Sequence, residues 1–325
     1  MAHPTVVIGG GTGTFPIISA LKQLKVDITS IIAVSDSGGS TGRIRDEFGF
    51  QPVGDLRQAL AALAQADGEE WIRQILLYRF TKGEGLKGHN LGNLLLTALQ
   101  DMTGDTTKAL EIAEKVFRLH GEVVPATPDN VQLEIVYEDG TTEIGEHKLD
   151  EVVDQPKKIS RVRLVPAATL NPKALHAIQD AELVVIGPGD YYASLMAALL
   201  PEGTRSALSS TSAKIVYMVN LMTRISQTHD MTAAQHLAGI EAVIGRPVDY
   251  AIINQAKIPA NVLQAYAAHH EFPVIDDLHH SSQVLRVDLL SNELHHQRAA
   301  DIAPRSLLRH DAVKVSRVLG QLLNL

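Results

Sequence analysis

The chain has no cysteine among its 325 residues, which excludes disulfides, iron–sulfur clusters and thiolate zinc sites. No apolar run approaches the roughly 18 residues that a membrane helix needs. The opening residues, Met1-Ala2-His3-Pro4, lack the charged and apolar regions of a secretory leader. Positive charge is also scarce, 29 Lys+Arg against 37 Asp+Glu for a formal charge of -8, which argues against a nucleic-acid partner. Together these absences predict a cytoplasmic protein with no membrane span. What remains is a globular composition, 45% apolar and 20% charged, with length for one large domain carrying an insertion, or for two domains.

One stretch organises the rest. An apolar run, Ile28 to Val34, reads as a buried strand and is followed by Ser35-Asp36-Ser37-Gly38-Gly39-Ser40-Thr41-Gly42-Arg43-Ile44-Arg45. Glycines let backbone N–H groups turn toward a ligand, and the hydroxyls of Ser37, Ser40 and Thr41 add short donors. A helix starting near Thr41 would aim unpaired N–H groups at an anion. Arg43 and Arg45 bring forked donors suited to phosphate or carboxylate. Asp36 stands where a doubly wound sheet places an acceptor for a ribose or a bound metal. A solvated Gly/Ser surface loop is the competing reading, and the bias of the composition directly after a strand disfavours it.

Upstream, Thr5 to Ile8 reads as a strand, Gly9-Gly10-Gly11-Thr12-Gly13-Thr14 as a turn and Phe15 to Leu24 as a helix, the opening of a βαβ unit. Gly9-x-Gly11 begins a dinucleotide fingerprint, but Thr14 stands where its third glycine would be, which disfavours a nicotinamide dehydrogenase. Downstream, Asp55 is expected to N-cap a helix over 56–66. Arg57 then lies in that helix's first turn, at the wrong end for the helix dipole, a conflict that an anionic ligand would resolve. Gly83 to Asn93 repeats the glycine-loop pattern ahead of a helix over 94–99. There His89, Asn90 and Asn93 cluster; both asparagines with the adjoining His89 are expected to hydrogen-bond a base, sugar or substrate carbonyl, the alternative being that one asparagine is only a cap and that His89 is structural.

From 121 to 165 the texture changes to alternating strands with an Asp139-Gly140 turn, read as a β-rich insertion or small subdomain. Residues 1–120 and 166–325 are expected to form one Rossmann-like α/β domain, doubly wound around a mostly parallel sheet. Its second half repeats the grammar. Glu182 to Ile186 is a strand, Gly187-Pro188-Gly189-Asp190 a second phosphate-approach loop, and a helix follows over 195–200. The strands Lys214 to Asn220 and Asp249 to Asn254 each end on an asparagine at the edge where such sheets bind ligands. Further elements are expected as a helix running from 228–232 to about 244, segments at 259–270, 273–275 and 284–289, and a helix over 310–323 that is core or dimer contact. The pairs His269-His270, His279-His280 and His295-His296 do not have metal-ligand spacing, because sequence neighbours cannot both face one ion from a helix or strand.

Val7-Ile8-Gly9-Gly10-Gly11-Thr12-Gly13, Ser37 to Arg43, Gly54-Asp55-Leu56-Arg57, Gly88 to Asn93 and Ile186-Gly187-Pro188-Gly189 resemble, in order and over most of the chain, the bacterial gluconeogenesis factors. These are relatives of the 2-phospho-L-lactate transferases. The resemblance implies a Rossmann-like fold binding a nucleotide diphosphate. In the transferase branch a guanosine diphosphate-linked phospholactate donates its group to a deazaflavin alcohol with a divalent ion assisting. The factor branch implies UDP-sugar binding, cell shape and wall synthesis during growth on gluconeogenic carbon, and hence cell-wall synthesis proteins as partners. Two functions stay open. In a binding regulator, the 9–14 and 187–190 loops hold a diphosphate, Arg43, Arg45 and Arg57 offset its charge, and Asn90, Asn93, Asn220 or Asn254 read base or sugar. In a transferase, Asp36 and Asp55 recruit a divalent ion such as magnesium and His89 is the candidate base.

Overall fold

The computed structural model describes residues 3–64, 70–149, 156–293 and 307–325. Its centre is β1 (Pro4–Gly9), whose residues are buried from Thr5 onward. A strand buried on both faces needs a helical layer on each side, the condition of a parallel sheet. The other strands are β2 (Asp27–Ile32), β3 (Glu122–Pro125), β4 (Gln132–Tyr137), β5 (Thr142–Ile144), β6 (Ile159–Val165), β7 (Leu183–Ile186), β8 (Lys214–Met218), β9 (Tyr250–Asn254) and β10 (Val284–Val287). Seven of them form one sheet in the order β10-β9-β8-β7-β1-β2-β3, with each neighbouring pair parallel. From β1 the chain winds outward through β2 to β3. It then returns to β7, on the other side of β1, and winds outward through β8, β9 and β10. The order therefore reverses between β1 and β7, the point beyond whose strand C-terminal ends sheets of this kind place a ligand crevice.

The helices are α1 (Phe15–Leu24), α2 (Gly39–Phe48), α3 (Gly54–Leu63), α4 (Glu70–Leu77), α5 (Leu91–Thr103), α6 (Thr106–Val116), α7 (Pro172–Asp180), α8 (Ala197–Leu199), α9 (Thr204–Ser210), α10 (Ala233–Ile244), α11 (Ala260–Ala267) and α12 (Ala312–Leu323). In α1, Pro16 sits in the first turn, Ile17, Ile18 and Leu21 form the buried stripe, and Lys25 closes the helix in a left-handed conformation. Against α1 packs α12, capped by Asp311, with Val315, Leu319 and Leu323 turned inward. Each such side chain contributes about 1.5–3 kcal/mol on burial. The terminal helix is thus part of the core. In contrast, α4 carries the sole tryptophan of the chain, Trp71, 72% exposed.

Several boundaries differ from the sequence reading. Glu122–Pro125 pairs with β2 in the main sheet, so the separate antiparallel sheet, ordered β5-β4-β6, begins at Gln132 rather than at 121. The run Ile28 to Val34 stops pairing at Ile32, and the next helix starts at Gly39, before Thr41. Val53, not Asp55, occupies the cap of α3, so Asp55 lies inside the first turn. α5 runs past the expected 94–99 at both ends, and the helix expected from 195 opens as a wide turn over Tyr191–Met196. α10 waits until Ala233, after a capping box of Thr232 and Gln235. Residues 273–275 form no strand, only an isolated bridge between Pro273 and Met222. The pair His295-His296 lies outside the described residues.

Candidate functional site

The crevice is walled by the loop after β1 and the loop after β7. Gly11 is held at φ +44°, a conformation that favours glycine, and a Cβ there would fall 2.3 Å from Asp55 Oδ1. A Cβ on Gly10 would meet Asp55 Oδ2 at 2.6 Å and Ser194 at 2.8 Å, and one on Gly13 would meet the Pro188 carbonyl oxygen at 2.4 Å. The two glycine loops therefore touch, and bare backbone is the condition for their closeness. Gly9 ends β1 by accepting from Ala33 N at 3.0 Å, Thr12 is half-buried at the turn, and the Thr14 carbonyl starts α1 by accepting from Ile18 N at 2.9 Å. On the far wall Gly187 has φ +78° and Gly189 lies against Leu195 and Ser194.

The second loop brings Asp36 to the same place. Its Oδ1 accepts from Gly38 N at 2.7 Å, and a Cβ on Gly54 would fall 2.9 Å from its Oδ2 and 2.6 Å from Thr41 Oγ1. Asp36 thus reaches Gly54 at the start of α3, while the carboxylate of the next residue, Asp55, faces Gly10 and Gly11. Burial raises the Asp36 pKa above the ordinary carboxylate value, while hydrogen bonds from Gly38 and Thr41 and the charges of Arg45 and Arg57 pull it back. Asn93 Nδ2 donates to Thr41 Oγ1 at 3.4 Å, whereas Asn93 Oδ1 is buried and accepts nothing among the described residues. Asn90 is the cap: its side chain accepts from Asn93 N at 3.1 Å.

The arginines divide. Arg43 is exposed and reaches the Gly88–His89 loop, where a Cβ on Gly88 would lie 3.4 Å from Arg43 Nη2. Arg45 donates from Nη2 to Val131 O at 2.8 Å and so anchors the approach to the antiparallel sheet. Arg57 is buried, donates from Nη1 to Leu76 O at 3.1 Å and adds its charge to the field at Asp36. Its conflict with the helix dipole therefore already has an answer inside the protein. His89 is half-buried; burial first, then the charges of Arg43 and Arg79, hold its pKa down against an opposing pull from Glu47. A neutral imidazole can accept a proton.

Four residues that the sequence reading did not select complete the walls. Asp190 occupies the cap of the wide turn without capping it; its Oδ1 instead accepts from Arg224 Nη1 at 3.2 Å. The cap bonds come from Gln227, whose Oε1 accepts from Tyr192 N and Ala193 N, each at 3.2 Å. Ser37 is held by the insertion, its Oγ lying 2.8 Å from His147 Nδ1 and accepting from His147 N at 3.2 Å. Ser194 faces Gly10. Arg224 follows Thr223 at the end of β8, where the polar run from Asn220 to Thr223 was the available signal. Gln227 and His147 carry none. Asn220 Nδ2 donates to Gly189 O at 2.8 Å, while Asn254 turns on its own loop, bonding Ala256 through both amide atoms. Gly39 and Ser40 lie in the first turn of α2, and the Ser40 side chain is outside the described structure.

Among the described residues no group of three or more His, Asp or Glu could hold a metal ion.

These features define a Rossmann-like α/β protein whose two glycine loops meet at its topological switch point. The chain belongs to the CofD family, whose model, described as 2-phospho-L-lactate transferase CofD, matches residues 5–294. It is 37% identical over 316 residues to a gluconeogenesis factor of Halalkalibacterium halodurans, covering 97% of this chain and 94% of that one. It is 34% identical over 319 residues to the gluconeogenesis factor of Bacillus subtilis, covering 98% and 97%. A crystal structure from Bacillus halodurans superposes with a TM-score of 0.88 at 34% identity, covering 98% of this chain and 99% of that one. No helix among the described residues is long and apolar enough to cross a membrane.

Proposed function

We propose that the chain is a cytoplasmic binding regulator whose crevice holds the diphosphate of a UDP-sugar, and that it acts on cell shape and wall synthesis during gluconeogenic growth. The observation that carries this reading is the meeting of Gly10, Gly11 and Gly13 with Asp55 and Pro188 at the switch point. Backbone bared there can approach a phosphate closely, with Arg43 at the exposed rim to offset charge. Arg224 balances Asp190, so the far wall does not present an uncompensated carboxylate to the ligand. Names alone connect the chain to gluconeogenesis, through the relatives that bear them.

A transferase is the second reading, favoured by two carboxylates at the glycine loops, Asp36 against Gly54 and Asp55 against Gly10 and Gly11. A divalent ion held there with the ligand's phosphates would supply charge stabilisation for a group transfer. In that reaction Asp36 and Asp55 would hold the ion, Arg43 would orient the donor, and neutral His89 would take the proton of an acceptor hydroxyl as its oxygen bonds to the donor's outer phosphorus and the bond to the departing nucleoside monophosphate breaks. Calorimetric titration with UDP-N-acetylglucosamine, GDP and NAD, with and without magnesium, separates the two. Tight UDP-sugar binding with no turnover over hours supports the regulator. Magnesium-dependent GDP binding supports the transferase, and NAD binding alone would overturn both.

A further inference from the structure

The antiparallel sheet sends one turn back over the main sheet. β5 ends at Ile144, Gly145 follows at φ +105°, and Glu146–Leu149 form a single 3₁₀ turn. At one end His147 reaches the loop after β2: its N–H donates to Ser37 Oγ at 3.2 Å, and its Nδ1 lies 2.8 Å from the same oxygen. At the other end the Leu149 carbonyl accepts from Ser226 Oγ, in the loop after β8. Sheet order shows what lies beneath. The strands run β8-β7-β1-β2 and are parallel, so both loops leave the same edge of the sheet. The turn therefore joins loops three strand spacings apart, about 14 Å, across the C-terminal ends of β1 and β7, where the glycine loops meet. The two ends are not equal. Leu149 is buried in the main core, and Gln227, next to Ser226, caps the turn over 191–196. The His147 end is held through one serine hydroxyl, and both residues there are half-buried, so water can replace their bonds at little net cost.

We propose that residues 145–149 are a strap over the ligand site, anchored at Leu149 and Ser226 and latched at Ser37 by His147, and that a ligand enters and leaves when this latch opens. The proposal rests on the reading above that the site takes a nucleoside diphosphate. Gly145 supplies the hinge. Its backbone conformation is one that glycine adopts freely, and a Cβ there would fall 2.7 Å from His147 Cε1 and 3.1 Å from Ser37 Oγ. Latch and site share a loop, since Ser37 stands between Asp36 and the Gly38 N–H that Asp36 accepts at 2.7 Å. A second part of the insertion stands near the far half as well: burial, then the charge of Glu138 in the turn after β4, push the Tyr192 hydroxyl above its ordinary value. Local opening draws on the least stable contacts of a fold, here the exchangeable Ser37 bonds rather than the seated Leu149. A strap closed over both the free and the occupied site slows entry and exit alike, as loop closure does in many proteins.

The test is stopped-flow binding of a fluorescent UDP analogue to the full chain, with UDP-N-acetylglucosamine as competitor. His147→Ala, which removes the ring contact with Ser37, should raise the association and dissociation rate constants together, each by about two- to tenfold, the worth of one hydrogen bond. Affinity should change by less than either rate. His147→Asn, whose amide stands where Nδ1 stood, should fall between the native chain and His147→Ala. Ser226→Ala loosens the anchor and should also speed both rates, so the proposal stays exposed to test even if the His147 variants do not fold. Unchanged rates in His147→Ala and Ser226→Ala overturn the strap while ligand binding stands. A loss of affinity in His147→Ala carried by dissociation alone overturns it too, because His147 would then be a ligand contact. Failure of the native chain to bind either compound overturns the functional reading and this proposal with it.

Discussion

At Gly11 a left-handed backbone and a close carboxylate act together, and the position is correspondingly intolerant. Gly11→Val places a β-branched residue at φ +44° with its Cβ against Asp55, a strain of about 1–3 kcal/mol. The variant should remain folded by circular dichroism, melt a few degrees lower and lose nucleotide binding by calorimetry; full affinity would remove the loop from the site. Arg43 is a different case, exposed at the rim. Arg43→Ala should weaken a nucleoside diphosphate far more than the matching nucleoside, and equal losses would count against a phosphate contact. Single residues were the least legible part of the sequence. Composition marked Arg43, Arg45 and Arg57 alike, but only packing could show that Arg45 is drawn to Val131 and Arg57 to Leu76. The same holds for the asparagines: Asn90 caps a helix, Asn254 closes a loop and Asn93 and Asn220 keep an oxygen open.

Elements depend on close approaches and on buried ionisable groups between them. α4 and α5 meet at Gly92, where a Cβ would fall 2.5 Å from Leu76 O and 2.8 Å from Arg57 Cδ. Gly92→Ala should therefore destabilise the fold by about 1–3 kcal/mol, read as a lower urea midpoint, because backbone cannot yield as a flexible side-chain tip can. His310, fully recessed ahead of α12, is held by burial at about 4 against the ordinary 6.5, despite an opposing hydrogen bond with Val219. The folded chain keeps it neutral. Above pH 6.5 neither state binds this proton; as pH falls toward 4 the unfolded chain takes one that the folded chain refuses, a loss of about 3 kcal/mol. Urea midpoints should fall between pH 7 and pH 4.5, and less steeply in His310→Gln. Glu114 has the opposite sign. Burial raises it to about 7 against a bond from Val123 N, so stability drains as pH rises from 4.5 through 7, and Glu114→Gln should gain more at pH 8 than at pH 5. Element types were readable from periodicity, and α1 was readable to the residue because a glycine turn precedes its apolar face. The start of α10 was not, because the residues before Thr232 look equally able to cap.

The whole molecule is a sheet wound outward in two directions from β1 and β7. That architecture was visible in the sequence as strand, glycine turn and helix, given twice. The place of β3 was not, because a strand of four residues, Glu122–Pro125, lies next to a β-rich insertion and only pairing with β2 assigns it. A ligand held by loops from both halves should stabilise all of it. At a hundred times its dissociation constant, a UDP-sugar should add about 2.7 kcal/mol to the stability of the fold, a rise of a few degrees in melting temperature. No rise at saturating concentrations would speak against binding at the junction of the halves. The lone indole gives this question an optical answer. Trp71 stands in solvent on α4, five residues before the Leu76 carbonyl that takes the hydrogen bond from Arg57. Drawing that guanidinium toward a bound diphosphate would release the carbonyl and shift the helix under the ring. The chain thus carries its own fluorophore on the helix that Arg57 holds, and a change in its emission on adding a UDP-sugar would be a dye-free titration signal.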